Sequence, residues 1–310
     1  MAILKQQSLP SPPKIEKISF LRSSIVEISK VAVLGAGTMG AGIAQWLCQV
    51  GCQVELSDAQ IEQRERAKDN IFSSWDKLQA KGKFTPAQVI SFKSSLLIKE
   101  EFSKDCDLFI EAIIENLTIK TEVFQKLSQH FEAKTIMASN TSSIPIDAMA
   151  RELPKDRQSK FLGLHFFNPA PIMKLVEIIQ GHWTDKSIGN NLQAWFQEKG
   201  KKPALCQDGP GFIVNRLARN FYGEPLRLAR VEDTQRFSEI DDILKEVGGF
   251  RMGPFELMDL IGIDINYSVS ESVWKSFYYE PRFAPHPLQR KMVTSGRLGR
   301  KTKAGFYEYS

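Results

Sequence analysis

The stretch Val31–Gly42, VAVLGAGTMGAG, places four apolar residues directly before a cluster of glycines. The apolar run predicts a buried β-strand, and the periodicity from Thr38 onward predicts a helix that begins at the glycines. Gly35 allows a tight turn, Gly37 allows the main chain to approach a pyrophosphate, and Gly40 allows close contact between helix and strand. The stretch is therefore a candidate phosphate-binding turn of a dinucleotide-binding fold.

An acidic residue follows these glycines at the spacing that such a fold requires. Residues 53–58, QVELSD, predict a second strand that ends at Asp58, about 20 residues beyond the turn. A carboxylate at this place accepts hydrogen bonds from the adenosine ribose and repels a 2′-phosphate. The glycines alone are also compatible with a flexible loop, but strand, helix and acidic residue together predict NAD, and not NADP, as the cofactor.

Short apolar runs alternate with helical patterns over the first two thirds of the chain, which is typical of parallel βαβ units. Further predicted strands are SLLIK (95–99), DLFIEAII (107–114), TIMASN (135–140), FLGLHF (161–166) and KLVEII (174–179). Helical patterns lie at 37–50, 60–82 and 119–131, and only helical patterns follow Ile213. The sequence thus predicts an N-terminal extension at 1–29, an α/β Rossmann-like NAD-binding domain at 30–209 and an all-α C-terminal domain at 210–310.

Length and composition exclude several classes of protein. The chain has 310 residues, 42% of them hydrophobic, which is enough for cores in two domains. No apolar run reaches the roughly 18 residues of a membrane span, and the start lacks the apolar core of a secretion signal, so we expect a cytoplasmic protein without membrane association. A net charge of +5 is too mild and dispersed for nucleic-acid binding. The four cysteines lack metal-ligand spacing, so no metal site or disulfide framework is predicted.

A histidine and a glutamate lie in the two apolar runs of residues 161–179, FLGLHFFNPAPIMKLVEII. His165 closes the first run and Glu177 lies within the second, with the turn-forming residues NPAP between them. An enzyme that oxidises an alcohol with a nicotinamide needs a base for the hydroxyl proton, and imidazole suits this role near neutral pH. A carboxylate beside the ring would orient it. Taken singly, a structural histidine and a surface glutamate remain the simpler interpretations.

Seven motifs, in order along the chain, resemble those of the L-3-hydroxyacyl-CoA dehydrogenase family. They are GAGTMGAGIAQ (35–45), EAIIENL (111–117), SNTSSI (139–144), GLHFFNPAPIMKLVEII (163–179), DGPGFIVNRL (208–217), MGPFELMDLIGID (252–264) and GRKTKAGFYEY (299–309). The resemblance covers Val31 to Tyr309. It implies NAD-dependent oxidation of a 3-hydroxyacyl-CoA to a 3-oxoacyl-CoA in a cleft between two domains, with the helical domain forming a homodimer.

The resemblance assigns catalytic roles to four residues. It makes His165 the catalytic base and Glu177 its partner, and it places Ser142 and Asn215 beside the reacting oxygen and the thioester. A hydroxyl and an amide can hold an alcohol or carbonyl oxygen by hydrogen bonds. Without the resemblance, Ser142 would be interpreted as a helix N-cap and Asn215 as part of a polar helix face.

Further residues are assigned to the cofactor and to coenzyme A in the same way. The resemblance places Glu115, Lys120, Asn140 and Asn168 at the cofactor, the first three near its nicotinamide half; the last would otherwise be explained by turn formation. Ser74 and Lys81 fall on the long second helix, where the family contacts coenzyme A, and a lysine there can meet phosphates. Lys77 and Lys83 could serve equally, because charged helix residues are usually solvated.

Two departures from the family pattern, the choice of acyl substrate and two alternative functions remain open. The first 29 residues precede the motif that normally starts almost at once, and Lys303 stands where a glycine is often seen in a tight turn. Residues 248–302 are most similar to members of phenylacetate degradation that act on 3-hydroxyadipyl-CoA, yet members that act on 3-hydroxybutyryl-CoA have a similar size. A catalytically silent NAD-binding structural or sensing dimer, or another Rossmann oxidoreductase acting on a free hydroxy acid, are the alternatives to catalysis on a CoA ester.

Overall fold

One eight-stranded sheet organises the first two thirds of the chain in the computed structural model, which describes residues 27–229 and 234–310. The strands are β1 Lys30–Leu34, β2 Gln53–Ser57, β3 Leu96–Ile98, β4 Leu108–Glu111, β5 Ile136–Ser139, β6 Phe161–Phe166, β7 Leu175–Gln180 and β8 Lys202–Gln207. Their order in the sheet is β3-β2-β1-β4-β5-β6-β7-β8. The chain crosses over between β3 and β4, so the carboxyl ends of β1 and β4 open a crevice at this point of the sheet.

All neighbouring strands run parallel except β6 and β7, which are antiparallel. The seven predicted strands are confirmed, although the fourth ends at Glu111 and not at residue 114 because the chain leaves the sheet there to begin the next helix. The edge strand β8 was not predicted. Pro203 lies near its start and its ends are exposed, and proline is tolerated in a sheet mainly at an edge.

Seven helices lie among the strands and five follow them in the described ranges. They are α1 Thr38–Gln49, α2 Ile61–Ala80, α3 Pro86–Ser95, α4 Leu117–His130, α5 Ile146–Ala150, α6 Lys155–Gln158, α7 Lys186–Glu198, α8 Val214–Ala229, α9 Thr234–Glu246, α10 Pro254–Ile261, α11 Ile263–Ser276 and α12 Pro287–Thr294. Helices α3, α6 and α7 were not predicted, although α3 and α7 each start with a capping side chain, Thr85 and Asp185 respectively. The predicted extension at 1–29 lies almost entirely outside the described residues.

Successive residues of a strand point to opposite faces of the sheet, and the apolar residues on each face form a separate core. Val31 and Val33 belong to the larger cluster, whereas Ala32 between them belongs to the second one on the opposite face. A third cluster, which includes Phe255 and Phe306, fills the helical domain. No helix in the described part of the chain is long and apolar enough to cross a bilayer.

Candidate active site

Two of the three glycines after β1 are required by close backbone contacts. Gly35 has φ of +105°, its N–H donates to the carbonyl of Ser57 at 2.8 Å, and a Cβ there would lie 2.4 Å from the carbonyl oxygen of Ala112. A Cβ on Gly40 would lie 1.8 Å from the carbonyl oxygen of Gly35. Gly40 therefore lets α1 approach the turn itself, a closer contact than the helix–strand packing predicted from the sequence.

Gly37 differs from its neighbours because nothing would obstruct a side chain there. No heavy atom lies within 4 Å of an added Cβ, and the residue is the N-cap of α1. The first N–H groups of a helix are free of intrahelical partners and favour a negative charge. The open space at the start of α1 thus fits a pyrophosphate that approaches the main chain.

A cavity of about 720 Å³ lies beside this turn, between β1, β2 and β4. Gly35, Gly37 and Asp58 are among the residues that line it. The Asp58 carboxylate accepts the N–H of Ala36 at 2.8 Å through Oδ2 and the N–H of Gln60 at 3.0 Å through Oδ1. Asp58 therefore fixes the glycine turn as well as presenting a negative charge to the cavity, and the donor and acceptor groups present fit a dinucleotide.

His165 and Glu177 face each other across the antiparallel strands β6 and β7. They are direct register partners, and His165 Nδ1 lies 2.6 Å from Glu177 Oε2. Both are buried, with 7% and 0% of their surface exposed. The prediction that the NPAP segment folds the two runs back on each other is confirmed. With Nδ1–H donating to the carboxylate, Nε2 of the neutral ring is left as a proton acceptor.

The second oxygen of Glu177 is held by the start of the helical domain. Oε1 accepts the N–H groups of Ile213 and Val214 at 2.9 and 2.8 Å, which are N–H groups at the beginning of α8. A carboxylate at a helix N-terminus is stabilised by the free amides there. Strand β7 and helix α8 together therefore fix the orientation of the carboxylate that holds His165.

Ser142 and Asn215 are brought together although 73 residues separate them. Asn215 Nδ2 donates to the carbonyl oxygen of Ser142 at 3.3 Å. The N–H and Oγ of Ser142 both donate to Glu115 Oε1, at 3.0 and 3.3 Å. Ser142 is not a helix N-cap, because Pro145 occupies that position before α5. The alternative interpretation of this serine therefore fails, and both side chains lie at the interface between sheet and helical domain.

A buried ion-pair network lies behind Ser142. The ammonium of Lys120 is 2.6 Å from Glu111 Oε1 and 3.3 Å from Glu115 Oε2, and Lys120 is almost fully buried. Burial opposes the charge of Glu115, but the hydrogen bond from Thr141 and the charge of Lys120 outweigh it and lower its pKa. Glu115 and Lys120 thus order the 141–143 loop. Glu111 was missed by the sequence reasoning, although an acidic residue inside an apolar strand was the feature to notice.

The remaining predicted residues lie at different distances from this centre. Asn140 Oδ1 accepts the N–H of Phe166 at 2.9 Å, next to His165 in the chain. Asn168 is exposed and precedes Pro169 through a cis peptide bond. Ser74 Oγ accepts from Gln45 Nε2 at 3.0 Å, and Lys81 is exposed at the end of α2. No hydrogen bond or ion pair in the described ranges joins Ser74 or Lys81 to the dyad or to Ser142.

Lys201 supports the loop between β6 and β7 and was not predicted. Its ammonium donates to the carbonyl oxygens of Ala170 and Met173 at 2.5 and 2.7 Å and lies 4.5 Å from the centre of the Trp46 ring of α1. Burial lowers the pKa of Lys201 to about 8. Lys201 immediately precedes β8. Because this edge strand was not predicted, the contacts of Lys201 with the loop between β6 and β7 were not predicted either.

Comparison with known families gives the same division of the chain that the geometry suggests. The model of the 3-hydroxyacyl-CoA dehydrogenase NAD binding domain matches residues 30–209, and that of the 3-hydroxyacyl-CoA dehydrogenase C-terminal domain matches residues 211–309. The chain belongs to the 3-hydroxyacyl-CoA dehydrogenase family. NAD is the cofactor of this family's first domain, as predicted, and the glycine turn and Asp58 are the features here that fit it.

Individual members of the 3-hydroxyacyl-CoA dehydrogenase family are similar over most of this chain. It is 40% identical to 3-hydroxyadipyl-CoA dehydrogenase of Escherichia coli K12 over 92% of its own length, but it spans only 60% of that protein. It is 40% identical to a probable 3-hydroxybutyryl-CoA dehydrogenase of Deinococcus radiodurans, covering 90% of this chain and all of the other. A solved (S)-3-hydroxybutyryl-CoA dehydrogenase of Ralstonia eutropha superposes with a TM-score of 0.84 at 34% identity, covering 92% of this chain and all of the other.

Proposed function

We propose that the chain oxidises (S)-3-hydroxyacyl-CoA thioesters to 3-oxoacyl-CoA with His165 as the proton acceptor. The observation that carries this proposal is the 2.6 Å contact between His165 Nδ1 and Glu177 Oε2. It leaves Nε2 of the neutral imidazole free to take a proton from a hydroxyl, which is general base catalysis. Glu177 holds the ring in this tautomer and stabilises the positive charge that develops on it.

Ser142 and Asn215 complete the proposed catalytic group. The Ser142 hydroxyl and the Asn215 amide lie at the same interface, where they can hold the C3 oxygen and the thioester carbonyl. NAD, when bound, accepts the hydride that leaves C3. The residues of the chain then act on the proton: His165 Nε2 takes it, Glu177 balances the charge, and the surrounding buried side chains exclude water.

Separate groups are proposed for the two halves of the cofactor. Gly35, Gly37 and Gly40 shape the pyrophosphate site, and Asp58 accepts hydrogen bonds from the adenosine ribose. The residues proposed for the nicotinamide half are Asn140, which accepts the N–H of Phe166 next to His165, and Glu115 with Lys120, which order the Ser142 loop. Asn168, three residues after His165, is proposed as a further cofactor residue. Since Lys120 is buried against Glu111, its contribution is to position Glu115 and not to contact a phosphate directly.

The acyl-CoA would enter from the side of α2, with Ser74 and Lys81 at the coenzyme A moiety. Lys81 is exposed and free to reach a phosphate, and neighbouring Lys77 and Lys83 are exposed on the same segment. The related proteins bear names that include 3-hydroxyadipyl-CoA and 3-hydroxybutyryl-CoA. Both fatty-acid oxidation and aromatic, phenylacetate-type catabolism are therefore proposed as possible settings for this chain.

A spectrophotometric assay tests the proposal. NADH formation is measured with (S)-3-hydroxyacyl-CoA esters of four to sixteen carbons and with the adipyl ester. Turnover of any of these esters with NAD supports the proposal. NADH binding without turnover of any ester would instead indicate a silent NAD-binding dimer, and turnover of free hydroxy acids alone would indicate a different Rossmann oxidoreductase.

We further propose that the helical domain mediates a homodimer. Its surface exposes large apolar side chains, among them Leu228, Ile243, Val247 and Phe250 of α8, α9 and the turn that follows. Exposed apolar patches of this kind mark interaction surfaces. Light scattering on the purified protein tests the dimer. Val247→Glu is expected to shift the mass to that of a monomer, whereas Ile90→Glu, at an exposed apolar residue of α3 in the first domain, is not.

A cytoplasmic location remains a prediction. The four cysteines are free thiols in the described structure, and burial raises the pKa of Cys52 to about 11. Unpaired, unreactive thiols are typical of a reducing compartment. Fractionation of cells that express the chain would test this location directly.

A further inference from the structure

A buried arginine lies one helical turn beyond Asn215 on α8. Arg219 has 5% of its surface exposed. Its Nε donates to the carbonyl oxygen of Asn215 at 2.9 Å, and Nη1 donates to the carbonyl oxygen of Asn266 at 2.9 Å and to Ser270 Oγ at 2.6 Å. All three acceptors are neutral groups. Within residues 27–229 and 234–310, no carboxylate pairs with Arg219 and nothing accepts a hydrogen bond from Nη2.

The centre of the Tyr222 ring lies 5.1 Å from Arg219 Cζ, but a buried guanidinium without an anionic partner is unusual. Buried charges in proteins are normally paired with an opposite charge, because removal from water is costly. Burial lowers the pKa of Arg219 to about 10, against a small opposing effect of Tyr222. The described part of the fold supplies no anion, so the positive charge is available for a ligand that brings one.

The surrounding polar side chains fix the direction of the guanidinium. Asn266 and Gln289 are each 2% exposed, and Gln289 Nε2 donates to Asn266 Oδ1 at 2.8 Å. Ser270 Oγ also donates to the carbonyl oxygen of Asn266, at 2.9 Å. These contacts hold two of the three nitrogens of Arg219 in place and leave Nη2 as the free donor. Such preorganisation reduces the entropy lost when an anion binds.

The position of Arg219 relative to Asn215 defines the length of ligand that could reach both. Residues i and i+4 lie on the same face of a helix, about 6 Å apart along its axis. In a six-carbon dicarboxylic acyl chain, three carbon–carbon bonds separate the hydroxyl-bearing C3 from the terminal carboxylate. With C3 held at the interface of Ser142 and Asn215, as proposed above, the acyl chain can extend along α8 and bring its carboxylate to the guanidinium one turn further on.

We propose that Arg219 determines substrate specificity by binding the terminal carboxylate of a dicarboxylic 3-hydroxyacyl-CoA. The proposal rests on the proposed function, which places C3 at the interface of Ser142 and Asn215. It assigns the chain to esters of the 3-hydroxyadipyl class in preference to apolar esters of equal length. An apolar acyl terminus would leave the guanidinium without a counter-charge, whereas a carboxylate supplies both charge and hydrogen-bond acceptors.

Two esters that differ only at the end of the chain provide the test. The ratio of kcat/KM for 3-hydroxyadipyl-CoA to that for 3-hydroxyhexanoyl-CoA is measured in the wild type and in Arg219→Met, which keeps the apolar length and removes the charge. We expect the wild-type ratio to exceed one and to fall by roughly 100-fold in the variant, since a buried carboxylate is then unpaired. Arg227→Met is the matched control, because Arg227 is a partly exposed arginine of α8 that pairs with Glu224, and it should leave the ratio unchanged.

The outcomes distinguish a specificity role from a structural one. An equal loss of activity on both esters in Arg219→Met would mean that Arg219 only joins α8 to α11, and the proposal would be wrong. If Arg219→Met does not fold, the wild-type ratio decides. A ratio of one or below overturns the proposal, and a ratio above one that is retained in part by Arg219→Lys supports it. Failure of the wild type to oxidise any ester of four to sixteen carbons, the adipyl ester included, would reject the proposed function itself. Oxidation of apolar esters without oxidation of the adipyl ester would reject only the role of Arg219.

Discussion

His165 and Glu177 are opposite residues of one antiparallel strand pair, so their 2.6 Å contact is set by main-chain register. The side-chain period of a strand is two, and a shift of one residue would turn either side chain to the other face of the sheet. Two side chains on neighbouring strands need no flexible loop to meet. The dyad therefore has the rigidity that positioning of a catalytic base requires.

The first prediction concerns the two members of this dyad. His165→Gln should lower kcat by roughly 10² to 10⁴, the usual contribution of general acid–base catalysis. NADH affinity, measured by fluorescence, should stay within a few-fold because the glycine turn is untouched. Glu177→Gln should also lose activity, since its one acceptor oxygen cannot serve both His165 and the N–H groups of α8. An amide NH₂ facing Nδ1 would favour the tautomer with the proton on Nε2, which cannot act as a base.

Non-additivity in the double variant is the decisive measurement for the dyad. If the two residues act as one unit, the double variant is less impaired than the product of the two single losses. Losses that multiply cleanly would show independent roles, and retention of most activity by His165→Gln would place the proton acceptor elsewhere in the cleft.

The second prediction separates the two contributions of Asp58. Asp58→Asn retains one oxygen that can accept the N–H of Ala36 but removes the negative charge, so the preference for NADH over NADPH should narrow. Asp58→Ala also removes the contact with the glycine turn and should weaken NADH binding further. Titration of both dinucleotides by fluorescence checks these results. Equal use of NAD and NADP by the wild type would contradict the role assigned to this carboxylate.

The third prediction is a pH dependence that arises at Lys201. Burial lowers its pKa in the folded protein from the ordinary 10.5 to about 8. Between these two values the unfolded chain binds more protons than the folded one, so this group makes the protein more stable as pH rises. The free energy of unfolding of the wild type, relative to that of Lys201→Met, should therefore rise between about pH 8 and 10.5. Below about pH 8 the difference between the two proteins should be constant. Urea denaturation of both proteins at pH 7 and pH 10 measures it, and a difference that is the same at both pH values would argue against a buried ammonium.

The fourth prediction concerns Lys303, which stands where the family often has a glycine. The tight turn is present, and Lys303 adopts the left-handed conformation with φ of 59°. A side chain costs about 1–2 kcal/mol in this region, and glycine offsets part of the gain through its greater unfolded-state freedom. Lys303→Gly should therefore stabilise the protein by up to about 1 kcal/mol in urea denaturation. Lys303→Ala is the control, and an equal gain from alanine would show that the lysine side chain, not the backbone, carries the strain.

Much of the first domain could be predicted from the sequence because its information is local. The Val31–Gly42 stretch combines a buried strand, glycines and a helix start within twelve residues, and the periodicity of each element is visible without tertiary contacts. Helix α7 contains Gly189 and two asparagines, which are poor helix formers, so packing of Trp195 and Phe196 against the sheet determines it. Such tertiary stabilisation leaves little trace in local sequence.

The residues of the candidate site also differ in how well local sequence predicts their roles. His165 and Glu177 were found because both lie in apolar runs joined by a turn, and their mutual contact follows from strand pairing. Lys201 and Arg219 were missed because their significance depends on being buried among neutral groups. A lysine in a KGKK run and an arginine on a helix are usually solvated. Only tertiary structure shows that these two are not.

Because the first amides of α8 donate hydrogen bonds to Glu177 Oε1, the geometry of the catalytic centre depends on the docking of the helical domain. During synthesis, the sheet and both dyad residues are complete before α8 exists, and domains generally fold in the order in which they emerge. At that stage the buried carboxylate would have its histidine but not its second set of donors. A nascent or truncated chain ending at residue 209 would thus have an intact dinucleotide-binding turn but a poorly oriented proton acceptor. Catalytic activity would therefore be gained in the last step of folding, when the helical domain docks.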